Sequence, residues 1–156
     1  MQNLGRLAEL ARDNTPEGRR ALVDAVTDMF MTAASDQVDH ISLLFGDIVL
    51  KVIGKLEEEA RMALAVRICE AEAAPRDLIM SLAADRINVA APVLAGSPVL
   101  TTDDLVSLAE TGSMDHLGVI ADRRPLNEAV TSVIVSRGNT EVLATVAGNE
   151  QARFTA

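Results

Sequence analysis

Small residues and prolines return along the second half of this chain at a nearly constant interval. Gly112 and Gly138 stand 26 residues apart, Pro98 and Pro125 stand 27 apart, and Ala95, Ala121 and Ala147 follow at steps of 26. A recurrence of this length marks a stacked helical repeat rather than an enzyme pocket. Residues 86–149 therefore predict units of two short helices. In the first unit Val89, Ala90, Val93 and Leu94 share one helix, and Ser97-Pro98 turns the chain. Thr101 or Thr102 then caps a second helix, with Asp103 and Asp104 at its positive end and Leu105, Val106, Leu108 and Ala109 facing inward. Gly112 closes it as a C-terminal glycine would. The second unit repeats the scheme through Leu117, Val119, Ile120 and Ala121, then Arg124-Pro125, then Ala129, Val130, Val133 and Ile134, to Gly138. A third opens at Asn139 with Val142, Leu143, Val146 and Ala147 and stops without a second helix. Pro92 fits the first helix only if that helix starts late, with Pro92 in its first turn.

Upstream, helical spacing predicts further helices. Leu4, Leu7, Ala8, Leu10 and Ala11 lie on one over Gln2 to Asp13. Thr15-Pro16-Glu17 starts another, to about Ala34, with Arg19 and Arg20 on its solvated side. A third, from Asp36 to about Gly54, is the most apolar, and its polar stripe of Asp36, His40, Asp47 and Lys51 is narrow. Such a helix must be covered on most sides, by the rest of the chain or by a second subunit. The stripe Val38, Ile41, Phe45, Ile48 and Val52 is the candidate self-association face. Leu56-Glu57-Glu58-Glu59 begins the next helix, with Glu57 placed to pair with Arg61. These glutamates diverge by about 100° each on a helix and do not converge on one metal ion. Ala73-Ala74-Pro75 starts the helix through Leu78, Ile79 and Leu82. The fold expected is all-α: antiparallel helix pairs stacked as a HEAT-like right-handed α-solenoid of about nine or ten helices. Residues 1–74 form the N-terminal helical part of the same domain, and residues 75–156 the HEAT-like repeats, truncated at the C-terminus.

Composition narrows the functions. Apolar residues make up 49% of the chain but aromatic residues only 2%, so the core is aliphatic, which suits close-packed helices better than a sheet. The net charge is −9, and neither half of the chain is basic. Nucleic acid and anionic membrane surfaces both need concentrated positive charge, and base stacking needs rings that are scarce here. The single cysteine, Cys69, cannot close an intrachain disulfide and reads as a small core residue in a reducing cytoplasm. No secretory leader and no membrane span is expected.

The string Val-Ala-Ala-Pro-Val-Leu-Ala-Gly-Ser-Pro-Val-Leu-Thr-Thr-Asp-Asp-Leu, followed by Ile-Ala-Asp-Arg-Arg-Pro-Leu-Asn-Glu-Ala-Val, resembles an alphaproteobacterial family, domain of unknown function 2336. The resemblance is clearest over residues 75–154 and looser over 1–74. It implies a HEAT-type helical repeat protein, usually longer than this chain, and carries no catalytic residue over. The repeat is also similar to the leucine-rich repeat variant, a helical solenoid sometimes joined to an iron–sulfur cluster. That cluster needs about four cysteine ligands, and Cys69 stands alone.

No phosphate-cradling glycine loop, His-Glu-x-x-His, cysteine pair or Gly-x-Ser-x-Gly is present. A hydrolytic arrangement of Ser113, Asp115 and His116 is conceivable, but neighbouring helical positions point different ways. The expectation is a non-catalytic cytoplasmic scaffold for protein–protein interaction, without cofactor or metal. Its partner is an unidentified protein or a second copy, not nucleic acid or membrane. Asp115, His116, Arg123 and Arg124 are the candidate partner-facing charges. The alternatives are a self-association (homodimerisation) module of a longer regulatory protein and, behind it, a small-ligand sensor or an enzyme.

Overall fold

Five of the described helices of this chain begin where a short polar side chain accepts from a first-turn amide that has no intrahelical acceptor. A computed structural model describes residues 2–154, and ten α-helices run through them: α1 (Gln2–Arg12), α2 (Pro16–Met31), α3 (Val38–Val52), α4 (Glu58–Ile68), α5 (Arg76–Ala83), α6 (Ile87–Gly96), α7 (Thr102–Thr111), α8 (Met114–Ala121), α9 (Glu128–Arg137) and α10 (Thr140–Ala147). Thr15 Oγ1 accepts from the Gly18 amide at 3.0 Å to open α2, with Pro16 at the first helical position. Thr101 opens α7 reciprocally: its hydroxyl accepts from the Asp104 amide at 3.2 Å, and its own amide donates to Asp104 Oδ2 at 3.0 Å. Ser113, Asn127 and Asn139 do the same service for α8, α9 and α10. A 3-10 turn, Ile53–Lys55, ends α3. Among the described residues there is no strand, only an isolated bridge where Leu126 pairs with Ala152 and draws the chain after α10 against the α8–α9 loop.

Most helices pack on the one two places along. α4 packs on α6, α6 on α8 and α8 on α10, while α7 packs on α9, α3 on α5, and α2 on both α3 and α4. The interior between them is aliphatic. Leu78, Ile79, Leu82, Val89, Val93, Leu94, Leu117, Ile120, Val130 and Ile134 are fully buried. Each contributes about 1.5–3 kcal/mol relative to an exposed position. Phe30 and Phe45 stack with ring centroids 4.8 Å apart where α2 meets α3.

Several expectations are corrected here. α7 packs against α8 and α9 rather than pairing with α6. The closely joined pairs are α5–α6, α7–α8 and α9–α10. Gly112 and Gly138 are not left-handed caps, since their φ values are −76° and −67°. They sit in single-residue corners just before the caps Ser113 and Asn139. A Cβ on Gly112 would lie 2.7 Å from the Leu108 carbonyl and 2.8 Å from His116 Cβ, and one on Gly138 would lie 2.7 Å from the Ile134 carbonyl and 2.9 Å from Val142 Cγ1. Pro92 lies inside α6, which starts at Ile87, so the helix does not start late. An interior proline costs about 3 kcal/mol, but Val89, Ala90, Val93 and Leu94 are all fully buried in that helix and offset the cost. Arg61 turns from Glu57 to Asp85, at 2.7 Å, and Glu57 pairs with Arg20 at 2.8 Å instead.

Candidate interaction surface

Four donors reach back about one repeat to the carbonyl end of an earlier helix, where acceptors lack intrahelical partners. His116 Nε2 meets the Asp85 carbonyl at 2.8 Å, just past α5. Arg123 donates to the Leu94 and Ser97 carbonyls at 2.8 and 2.9 Å, at the end of α6. Arg137 donates to the Ala109 carbonyl and, at 3.1 Å, to that of Gly112, at the end of α7. Asn149 Nδ2 donates to the Ala121 and Arg123 carbonyls at 3.0 and 2.7 Å, at the end of α8. The sequence separations run from 25 to 31 residues. The recurrence in the sequence is thus also a recurrence of cross-unit caps, with two arginine cations, an imidazole N–H and an amide placed at negative helix ends.

These contacts change the standing of the four candidate charges. His116 is buried and Arg123 half-buried, each tied to backbone carbonyls, so neither side chain is presented outward. Burial holds the Arg123 guanidinium below its ordinary value. Asp115 and Arg124 remain exposed. The α3 stripe is covered in part. Phe45 is 1% exposed, and Val38, Ile41, Ile48 and Val52 pack half-buried against the core. The apolar side chains that α3 leaves outside are Leu43, Leu44 and Leu50, with Leu43 at 69% exposure.

Ser113 and His116 do come together, with Ser113 Oγ 2.6 Å from His116 Nδ1. The Asp85 carbonyl can only accept, so in the neutral ring Nε2 carries the proton and Nδ1 accepts from the serine hydroxyl. The same hydroxyl accepts from the His116 amide at 3.3 Å as the α8 cap. Asp115 makes no hydrogen bond to the ring among the described residues. The contact is a helix cap with a histidine at its third position. His40 is exposed at the start of α3. Cys69 is half-buried, its thiol bonded to the Val66 carbonyl at 3.3 Å, and burial followed by the neighbouring Glu70 pushes it up, away from thiolate reactivity. No group of three or more metal-ligating side chains occurs among the described residues, and no described helix is long and apolar enough to cross a membrane.

The largest described recess is a groove of about 720 Å³ over α8 and α10, reaching Ala95 of α6. Met114, Gly118, Val119 and Val142 form its apolar lining, and Asp115, Asp122 and Glu141 its charged one. No Lys or Arg lines it, and none of the three carboxylates enters an ion pair among the described residues. A smaller recess of about 220 Å³ between α2 and α4 mixes both signs, Arg20 and Arg67 with Asp24 and Glu59. Sequence reasoning named Asp115 but missed Asp122, Glu141 and Gly118. Asp115, Gly118, Val119 and Asp122 recur at helical spacing on the outer side of α8, and neither aspartate has a Lys or Arg three or four positions away. That signal was readable.

Residues 89–156, a little under half of the chain, match the family model described as an uncharacterised protein conserved in bacteria (DUF2336). The matched stretch holds most of α6 and all of α7 to α10, and therefore the whole α8–α10 groove. No curated protein and no solved structure matches the chain.

Proposed function

We propose that this chain is a non-catalytic, cytoplasmic scaffold for protein–protein interaction, built as antiparallel helix pairs stacked in a HEAT-like right-handed solenoid. The observation that carries this reading is the set of cross-unit caps at repeat spacing from His116, Arg123, Arg137 and Asn149. Such fastening suits a rigid extended surface, the form in which stacked helical pairs receive a segment of another protein. Affinity capture from the source cells tests it. A discrete protein retained in proportion to the bait is expected, and no specific partner under any growth condition overturns it.

A second reading, homodimerisation, is favoured by Leu43, Leu44 and Leu50 standing exposed on α3. Exposed apolar side chains on one helix face suit contact with another copy. Sedimentation over a wide concentration range decides: association abolished by Leu43→Glu with Leu50→Glu supports it, and a monomer throughout removes it.

A further inference from the structure

We propose that the α8–α10 groove receives an amphipathic helix of a partner protein, apolar along its contact stripe and basic along both flanks. This rests on the scaffold reading and names the chemistry of the partner.

The lining is mixed, with an apolar part between the carboxylates. Gly118 leaves α8 without a side chain there, and Met114, Val119 and Val142 line the same groove. A helix laid on that apolar part presents apolar anchors at positions i, i+4 and i+7. Asp115 in the first turn of α8 and Asp122 at its C-cap stand seven residues apart, about 10 Å along the helix axis, and Glu141 of α10 lines the same groove. Two turns of a facing helix span that distance, so basic residues spaced by about seven positions match the carboxylates. The cation next to Asp122 in sequence, Arg123, is committed to the Leu94 and Ser97 carbonyls, and none of the three carboxylates enters an ion pair among the described residues. Complementary charge sets partner choice and encounter rate, while the apolar part of the lining holds the complex. An acidic or neutral helix meets the same lining with like charge or none. This is what singles out a basic occupant.

The probe is a synthetic peptide of about 18 residues, long enough to hold a helix, with leucine at i, i+4, i+7 and i+11 and arginine flanking them. Its control replaces each arginine by glutamate. Binding to the full chain is followed by fluorescence anisotropy and by amide NMR shifts. Expected are saturable binding of the arginine peptide, shifts centred on Gly118, Val119, Val142 and Thr145, and about tenfold weaker binding for Asp115→Lys with Glu141→Lys. A steric variant removes the dependence on charge. A Cβ at Gly118 meets only Val142 Cγ2, at 4.0 Å, an ordinary contact, so Gly118→Met folds while filling the groove. It is expected to abolish binding with an unchanged circular dichroism spectrum. Equal binding of the glutamate peptide, shifts elsewhere on the chain, full binding by Gly118→Met, or the same shifts from spermidine alone each overturn the proposal. Should the peptide fail while a specific protein is still captured from cells, the groove assignment falls and the scaffold stands. If both fail, both fall.

Discussion

Three glycines in the repeat region answer to different neighbours. At Gly112 and Gly138 the next helix turns back so tightly that a methyl group would press on a backbone carbonyl, at 2.7 Å in both cases. At Gly118 the same methyl group meets nothing closer than 4.0 Å. Gly112→Ala and Gly138→Ala are therefore expected to lower unfolding free energy by about 1–3 kcal/mol, the usual cost of overpacking. Gly118→Ala is expected to raise it by about 0.5–1 kcal/mol through helix propensity alone. Urea titrations of the three variants measure the difference, and three equal effects would remove the argument from close approach. Adjacent arginines divide in a similar way. Arg123→Ala strips two carbonyls of a charged donor and should cost about 1.5–3 kcal/mol, whereas the exposed Arg124→Ala should stay within about 0.5 kcal/mol. Nothing local distinguishes these two residues. The carbonyls that decide the matter lie 26 and 29 positions upstream, beyond the reach of any local pattern.

The helices themselves were largely readable. Thr15 and Thr101 cap where their composition says they should, and the apolar spacing of α2, α5 and α7 predicts their inward faces. The pairing of helices was not readable, because a translational period is indifferent to where a unit begins. Only the corners at Gly112 and Gly138, shorter than the Ser97–Thr101 loop, show which neighbours fold back on one another. On α3 the difficulty is different: apolar residues surround the helix, so the stripe that is covered depends on where α2 and α5 lie. The α7 cap offers the sharpest test at this scale. Thr101→Ala removes one half of the reciprocal cap and should cost about 1 kcal/mol in the urea midpoint analysis. Asp104, the other half, is 4% exposed. Its carboxyl is held below the ordinary aspartate range by the Arg76 guanidinium first, with the Thr101 amide and hydroxyl adding, while burial pushes the other way. The folded chain thus favours the carboxylate more than the unfolded chain does. The stabilisation is complete above the unfolded aspartate value, about 3.9, and is lost as pH falls through the lower folded value. Asp104→Asn should then be less stable than wild type at pH 7, with the gap narrowing below about pH 4. A gap that stays constant with pH would assign the loss to shape rather than charge.

In the stacked arrangement proposed above, stability belongs to neighbouring pairs of units rather than to one central core. α8 packs against α6, α7, α9 and α10, and α6 against α4, α5 and α8, whereas the principal partner of α1 is α2. Native-state hydrogen exchange should follow that order. Amides of α6 and α8 are expected to exchange last, near the global unfolding free energy, and those of α1 first, by fraying. The cross-unit caps add a sharper expectation. Arg137 belongs to α9, yet the carbonyls it holds, Ala109 and Gly112, end α7. Arg137→Ala should therefore speed exchange in the last turn of α7 and in α9 while leaving α2, α3 and α4 at wild-type rates. A single core would spread the loss across every helix, because one cooperative unit has only one opening free energy to lower. Faster exchange confined to α7 and α9 supports fastening of unit to unit. A uniform change from α2 to α10 would show that the repeat seen in sequence and packing is not a repeat in stability.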